Sequence, residues 1–310
     1  MNQTDPATAH PSALPTQPAH LRFWPKRVPH QVTLPATSLW QNLAVSALRY
    51  PDKAALVFFG QVLTYGELLQ KAERLAHCLQ GLGVKNGDRV VLNMQNCPQL
   101  VIAHWAILRA NAVVVPVNPM NRSEELKHYI TDPDAKVAVT TGDLAGELAR
   151  ASDALEPALR LSHLIVTQFT EAFDPSSAGG EAPPVAWNDW LTRSHPLPAL
   201  AGGTVHGWAD ALSVAGNGPE LQAGPDDLAI LPYTSGTTGL PKGCMHTHAS
   251  IMHNAVGSSI WGGSTAENVT LAVVPMFHIT GMVSVMHASI YSGATLVLMP
   301  RWDRDLAGRL

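Results

Sequence analysis

The chain has 310 residues, 46% of them hydrophobic and only 14% charged, against roughly 25% charged in an average soluble domain. That composition supports a substantial core in one large or two smaller domains. The net charge of -4, with no basic tail or Lys/Arg cluster, argues against a dedicated nucleic-acid surface.

The first 20 residues have no basic start and no apolar centre, so they do not read as a secretory signal. Rich in Pro and Ala, residues 1–34 are expected to be extended or partly disordered. The clearest local unit begins at Leu63-Thr64. Thr64 and Glu67 fit a capping box, and Leu68, Ala72, Leu75, Ala76 and Leu79 then make an apolar helical face. Gly81 and Gly83 end it. Val90 to Leu92 reads as a short buried strand. Pro98 can start a helix in which Leu100, Ala103, Ile107 and Ala110 recur at helical spacing, and Ala112 to Val115 returns to strand character before Pro116.

A helix over Ser123 to Ile130 leads to a strand at Val137 to Val139, a helix over Gly146 to Leu159 and a strand at Leu164 to Val166. This alternation predicts an α/β fold with mixed or mostly parallel sheets flanked by helices. Residues 173–226 read differently, with Pro183-Pro184, several glycine pairs and weak periodicity. They are expected to be a long irregular insertion or a domain boundary, with Trp187 to Trp190 either a short helix or a packed loop. Order resumes with a strand at Leu228 to Leu231. A helix over His248 to Ser259, a strand at Thr270 to Val274, a helix over Ile279 to Tyr291 and a strand at Ala294 to Met299 follow. The apolar stretch Val269 to Met286 carries Pro275, His278 and Gly281 at its centre, so it reads as strand, loop and buried helix rather than a membrane span.

Between the Leu228 strand and the His248 helix lies Tyr233-Thr-Ser-Gly-Thr-Thr-Gly-Leu-Pro-Lys-Gly243, with three glycines, four aliphatic hydroxyls and one lysine in eleven residues. Glycines let backbone amides approach anionic oxygens, and a run of such amides forms an anion nest. Thr234, Ser235, Thr237 and Thr238 can donate hydroxyl hydrogen bonds to phosphate, and Lys242 adds a mobile positive charge. The order is not that of a Walker A loop, which needs Gly-Lys followed by Ser or Thr; here Pro241 precedes Lys242 and Gly243 follows it. On residue chemistry alone, a polyphosphate cradle and an ordinary solvent loop both remain open. Cys78, Cys97 and Cys244 lie far apart and form neither a CxxC pair nor a disulfide framework, as in a reducing cytoplasm. Cys244, His246 and His248 lie close together, but their spacing is not that of a metal site.

The loop closely resembles the signature of adenylate-forming enzymes, especially AMP-forming acyl-CoA synthetases of the medium- and long-chain fatty-acid type. Thr247-His248 resembles the Thr-His pair that follows it, and Pro275-Met-Phe-His278-Ile-Thr-Gly281 resembles the next family motif. Leu63-Thr-Tyr-Gly-Glu-Leu68, Gly83-Val-Lys-Asn-Gly-Asp-Arg-Val90 and Pro116-Val-Asn-Pro-Met120 are similar to the amino-terminal region. The resemblance covers roughly residues 35 to 310. Asn111 stands where the family has a glycine, a change expected to alter a tight turn.

The resemblance implies a large amino-terminal AMP-binding domain and a small mobile carboxy-terminal lid. It implies ATP with Mg2+, coenzyme A and a fatty acid as reactants, giving acyl-AMP and pyrophosphate and then acyl-CoA and AMP. Thr234, Ser235, Gly236, Thr237, Thr238, Gly239 and Lys242 would wrap the outer phosphates, Lys242 by charge stabilisation. His278, with Phe277 and Met276, would line the acyl or adenylate pocket; taken alone His278 would read as a packed polar residue, and the motif favours the pocket, while the apolar positions could equally be core. A carrier-protein or aryl-acid adenylating enzyme and a non-catalytic nucleotide- or acyl-binding fragment are the alternatives. The family's magnesium-coordinating glutamate, its ribose-binding aspartate and its lid lysine have no counterpart in these 310 residues, so no metal ligand is identifiable. The chain is expected to be an incomplete amino-terminal fragment without the lid, retaining phosphate contacts but not complete thioester synthesis. A cytoplasmic location follows from the family and the thiols, with peripheral membrane contact left open.

Overall fold

The computed structural model describes residues 18–174, 182–234 and 239–310. The chain divides into two units, Met1–Val32 and Thr33–Leu310. In the first, the described part of the segment expected to be extended forms a 3-10 turn, Ala19–Phe23. There the Trp24 indole N–H donates to the Val28 carbonyl at 2.8 Å, and the ring lies edge-on to His20 and His30.

The second unit opens with helix α1 (Trp40–Arg49) and the hairpin β1 (Ala54–Phe58) and β2 (Gln61–Thr64), none of them anticipated. Helix α2 (Tyr65–Gly81) starts at the expected cap: the Thr64 hydroxyl accepts from the Glu67 N–H at 3.2 Å, and the Glu67 carboxylate accepts from the Thr64 N–H at 2.8 Å. Strand β3 (Arg89–Asn93) leads to α3 (Pro98–Arg109), which is buried at every residue from Pro98 to Leu108. A helix apolar on all sides belongs inside, and α3 lies between β3 and β4 (Val113–Pro116) on one side and β1 on the other.

Helix α4 (Ser123–Thr131), strand β5 (Val137–Thr141), helix α5 (Gly142–Asp153) and strand β6 (His163–Thr167) continue the alternation. Helix α5 starts four residues before its expected start and ends before Leu159, which lies in a separate 3-10 turn, Pro157–Leu159.

The stretch read as an irregular insertion is better ordered than its composition suggested. It contains α6 (Val185–Thr192), β7 (Thr204–Gly207) and α7 (Trp208–Ser213). Leu191, Trp208 and Ala211 are buried, so these short elements are held by tertiary packing rather than by local periodicity. Residues 175–181 lie outside the described residues.

The return from α7 is clamped at Asn111. This residue has φ of 60°, the left-handed region that asparagine tolerates better than most side chains. The tight turn is kept, and the amide is used: Nδ2 donates to the Glu220 carbonyl at 2.8 Å, and Oδ1 accepts from the Gln222 and Ala223 N–H groups at 2.8 and 3.0 Å. Arg109 donates alongside to the Asn217 and Pro219 carbonyls.

The chain then forms β8 (Leu228–Ile230), β9 (His246–Thr247), α8 (His248–Gly262), β10 (Val269–Ala272), a π-helical stretch (Thr280–His287), α9 (Ala288–Ser292), β11 (Thr295–Leu298) and α10 (Arg304–Arg309). The helix expected over Ile279 to Tyr291 is therefore π-helical for most of its length. Seven strands form one sheet in the order β7-β6-β5-β3-β4-β8-β9, parallel except for β9. The second sheet runs β10-β11-β1-β2, with β2 antiparallel. Strands β4 and β5 are buried throughout, as parallel strands covered on both faces must be. Among the described residues, no helix is long and apolar enough to cross a membrane.

Candidate functional site

In open α/β sheets, ligands bind beyond the carboxyl ends of the strands. Here the segments leaving β4, β8 and β10 at those ends surround a cleft of about 530 Å³. From β4 come Pro116, Asn118 and Asn121; from α4, Glu125 and Tyr129; from the glycine-rich hairpin, Tyr233, Thr234 and Pro241; and from beyond β10, Phe277, His278 and Ile279. A larger hollow of about 900 Å³ lies between α1 and the ends of α8 and α9. It gathers none of the motif residues, so the smaller cleft is the functional candidate.

The hairpin is closed at its neck by main-chain groups. Tyr233 and Gly243 form an antiparallel bridge. The Thr234 N–H donates to the Lys242 carbonyl at 3.0 Å, and the Lys242 N–H donates to the Thr234 hydroxyl at 3.1 Å. A Cβ on Gly243 would meet the Leu231 side chain at 3.0 Å and the Tyr233 ring at 3.3 Å, so glycine lets the neck close. Gly239 has φ of 144°, which favours glycine. The Lys242 side chain is exposed and, among the described residues, makes no ion pair. Ser235, Gly236, Thr237 and Thr238 lie outside the described residues.

Across the cleft, the Pro275 segment hangs on a side chain that sequence reasoning missed. Asn96, buried in the loop between β3 and α3, donates from Nδ2 to the Ala272 and Val274 carbonyls at 3.2 and 3.1 Å. Its Oδ1 accepts from the Met276 N–H at 2.8 Å. The turn then folds back tightly: a Cβ on Gly281 would lie 2.3 Å from the Pro275 carbonyl oxygen. Exposed His278 and half-buried Phe277 are thereby presented to the cleft. Met276 is 1% exposed and lies in the core rather than on the cleft wall.

His248 is buried at the start of α8, where its Nδ1 accepts from the Leu39 N–H at 3.0 Å. That bond requires a neutral ring, and burial pushes the imidazole down to about 4. Thr247 caps the same helix, accepting from the Ser250 N–H at 3.2 Å. Tyr233 is held well above the usual phenol range by burial and by its bond to the Asp132 carboxylate. Asn121, in the cleft wall, carries a buried Nδ2 with no hydrogen-bond partner among the described residues.

Chemically, the cleft offers hydroxyl and amide groups from Thr234 and Asn121 on one side, with Lys242 joined to Thr234 at the hairpin neck, and an imidazole with apolar neighbours on the other. That combination suits an anionic group joined to a less polar one. A family model described as AMP-binding enzyme matches residues 43–310. The chain is 32% identical over 295 residues to a long-chain-fatty-acid–CoA ligase of Bacillus subtilis (strain 168), covering 93% of the chain and 50% of that protein. It is 31% identical over 303 residues to a long-chain-fatty-acid–CoA ligase of Escherichia coli O6:H1, covering 93% and 51%. The crystal structure of a long-chain-fatty-acid-CoA ligase from Archaeoglobus fulgidus shares the fold at a TM-score of 0.70 and 22% identity, over 90% of this chain and 50% of that one. The chain thus spans about half the length of the curated relatives it matches. Every residue lining the cleft falls within the span that the family model matches, and the chain belongs to the AMP-binding enzyme family.

Proposed function

We propose that the cleft binds the polyphosphate of ATP and that the whole protein is a fatty-acyl-CoA ligase. The observation that supports this reading is the closed neck of the Tyr233–Gly243 hairpin, which joins Lys242 to Thr234, a residue of the cleft that His278 also lines. In the first step, a fatty-acid carboxylate oxygen attacks the α-phosphorus, and pyrophosphate leaves to give acyl-AMP. In the second, the coenzyme A thiolate attacks the acyl carbonyl, the mixed-anhydride bond breaks and AMP leaves.

Lys242 and the Thr234 hydroxyl hold the outer phosphates, so that the charge carried off by pyrophosphate meets preorganised donors. Phe277 and His278 line the side on which the acyl group lies. The carboxylate is already ionised at neutral pH, so His278 need not act as a base. Ser235, Gly236, Thr237, Thr238 and Gly239 complete the cradle in this proposal. Among the described residues, Glu125 is the one carboxylate on the cleft wall, and it already accepts from the Arg122 N–H at 2.8 Å. These residues do not make a magnesium cage, so the ion belongs to the proposal only as a passenger on the nucleotide phosphates. A cytoplasmic location goes with this reading and is supported by three free thiols. Membrane contact is its corollary for a lipid substrate, to be read by co-sedimentation with vesicles.

Titrating the 310-residue chain with ATP and with inorganic pyrophosphate tests the cradle: saturable binding of both is expected, and absence of binding overturns it. Pyrophosphate release that depends on a fatty acid, followed by a thioester with coenzyme A, tests the reaction. Release driven only by an aryl acid, or transfer only to a carrier-protein thiol, would replace the substrate assignment.

A further inference from the structure

Helix α4 has no place in the glycine-rich motif, yet its last turn reaches both arms of the hairpin. The Tyr233 hydroxyl, on the incoming arm, donates to Asp132 Oδ2 at 2.6 Å. The Pro241 carbonyl, on the outgoing arm, accepts from His128 Nε2 at 2.6 Å. A carbonyl can only accept, so His128 must carry its proton on Nε2. His128 and Asp132 are four residues apart, one helical turn, and therefore share a face. Between them the Tyr129 ring meets Tyr233 edge-on at 4.8 Å, and the His128 ring does so at 5.6 Å.

The helix is a firm mount. Leu126 and Ile130 are fully buried in the core of the large sheet. Its first turn is tied to α5 by the Ser123 N–H and hydroxyl, both donating to the Glu147 carboxylate. The hairpin, by contrast, is joined within itself at its neck. Among the described residues, each arm has one side-chain hydrogen bond to the end of α4, through Tyr233 on one arm and Pro241 on the other.

We infer that Asp132 and His128 are positioning residues for anion recognition, a two-armed grip through which α4 sets where Thr234 and Lys242 stand. The inference rests on the reading of this hairpin as the polyphosphate cradle. Neither residue need touch the ligand: each acts through the arm it holds. With one grip released, the neck stays closed but the hairpin can swing on it, so the donors lose their alignment while the fold persists.

The test is equilibrium titration of the 310-residue chain and its variants with ATP and with inorganic pyrophosphate, alongside thermal unfolding. Asp132→Ala, Tyr233→Phe and His128→Ala should each weaken binding by about 5-fold, the value of one modest hydrogen bond, with little change in melting temperature. Asp132→Asn keeps an acceptor for the Tyr233 hydroxyl, and His128→Gln keeps an N–H donor; both should recover most of the affinity, which a general loss of packing would not. Asp132→Ala combined with Tyr233→Phe should be no worse than either alone, because both remove one bond. If the parent chain binds neither probe, the cradle reading itself fails. If the parent chain binds and Tyr233→Phe and His128→Ala bind within twofold of it, the grip is overturned while the cradle stands. Tyr233→Phe keeps the ring packing, so it reads the same bond even if Asp132→Ala fails to fold.

Discussion

On one wall of the cleft, the hairpin neck is closed mainly by main-chain groups of Tyr233, Thr234, Lys242 and Gly243, with the Thr234 hydroxyl as one acceptor. On the opposite wall, the Pro275 segment depends on one buried side chain, Asn96, and on the missing Cβ of Gly281. The first wall can lose a side chain while the fold persists. The second cannot, because its polar partners are buried and would be left without hydrogen bonds. Binding and stability should therefore separate on the hairpin and travel together on the Pro275 segment.

The largest effect is expected from Asn96→Ala. Two carbonyls and one N–H lose their partner, which costs about 4 kcal/mol, measured by denaturant unfolding; a loss under about 1 kcal/mol would remove the contrast between the walls. Gly281→Ala forces a Cβ against the Pro275 carbonyl and should cost about 3 kcal/mol, read in the same assay together with weaker binding of any ligand that meets His278.

Acid probes the root of the hairpin. In the folded chain His248 takes up its proton only near pH 4, whereas in the unfolded chain it does so near its ordinary value of 6.5. Between these values the unfolded chain binds more protons. This contribution is therefore complete above pH 6.5, declines as pH falls, and is gone below pH 4; it amounts to about 3 kcal/mol. Buried His104, pushed down to about 3, extends the loss to lower pH. Unfolding free energies from pH 7 to 4 check the slope, and His248→Gln should flatten it. The smallest effect on stability is expected from Lys242→Ala, within about 0.5 kcal/mol. Its affinity for ATP should nevertheless fall about tenfold or more, the value of a charge-assisted contact. A change that unfolded the chain would place Lys242 in the framework rather than the cradle.

Much of the fold was legible because it is locally encoded. The Thr64 cap, the Pro98 start and the apolar runs of β3 to β6 are written within a few residues of each other. The short elements between 185 and 213 were not legible: their apolar residues are few, and only the sheet edge and core give them order. Asn111 was noticed as a departure from glycine, but its backbone conformation and its clamp on residues 220–223 became visible only together. Asn96 had a faint signal, a polar amide in a short loop before a proline-started helix. Nothing local says that its partners lie about 180 residues away.

What the sequence determined by itself is the chemistry of the loop: glycines, hydroxyls and a lysine in an order that resembles one family, in a frame of alternating strands and helices. Those properties depend on neighbours along the chain. Tertiary structure decided which of the candidate residues share a cleft, that Met276 belongs to the core while His278 faces the cleft, and that α4 holds a hairpin more than a hundred residues downstream. Those outcomes turn on packing and on hydrogen bonds between distant segments, which local residue order does not contain.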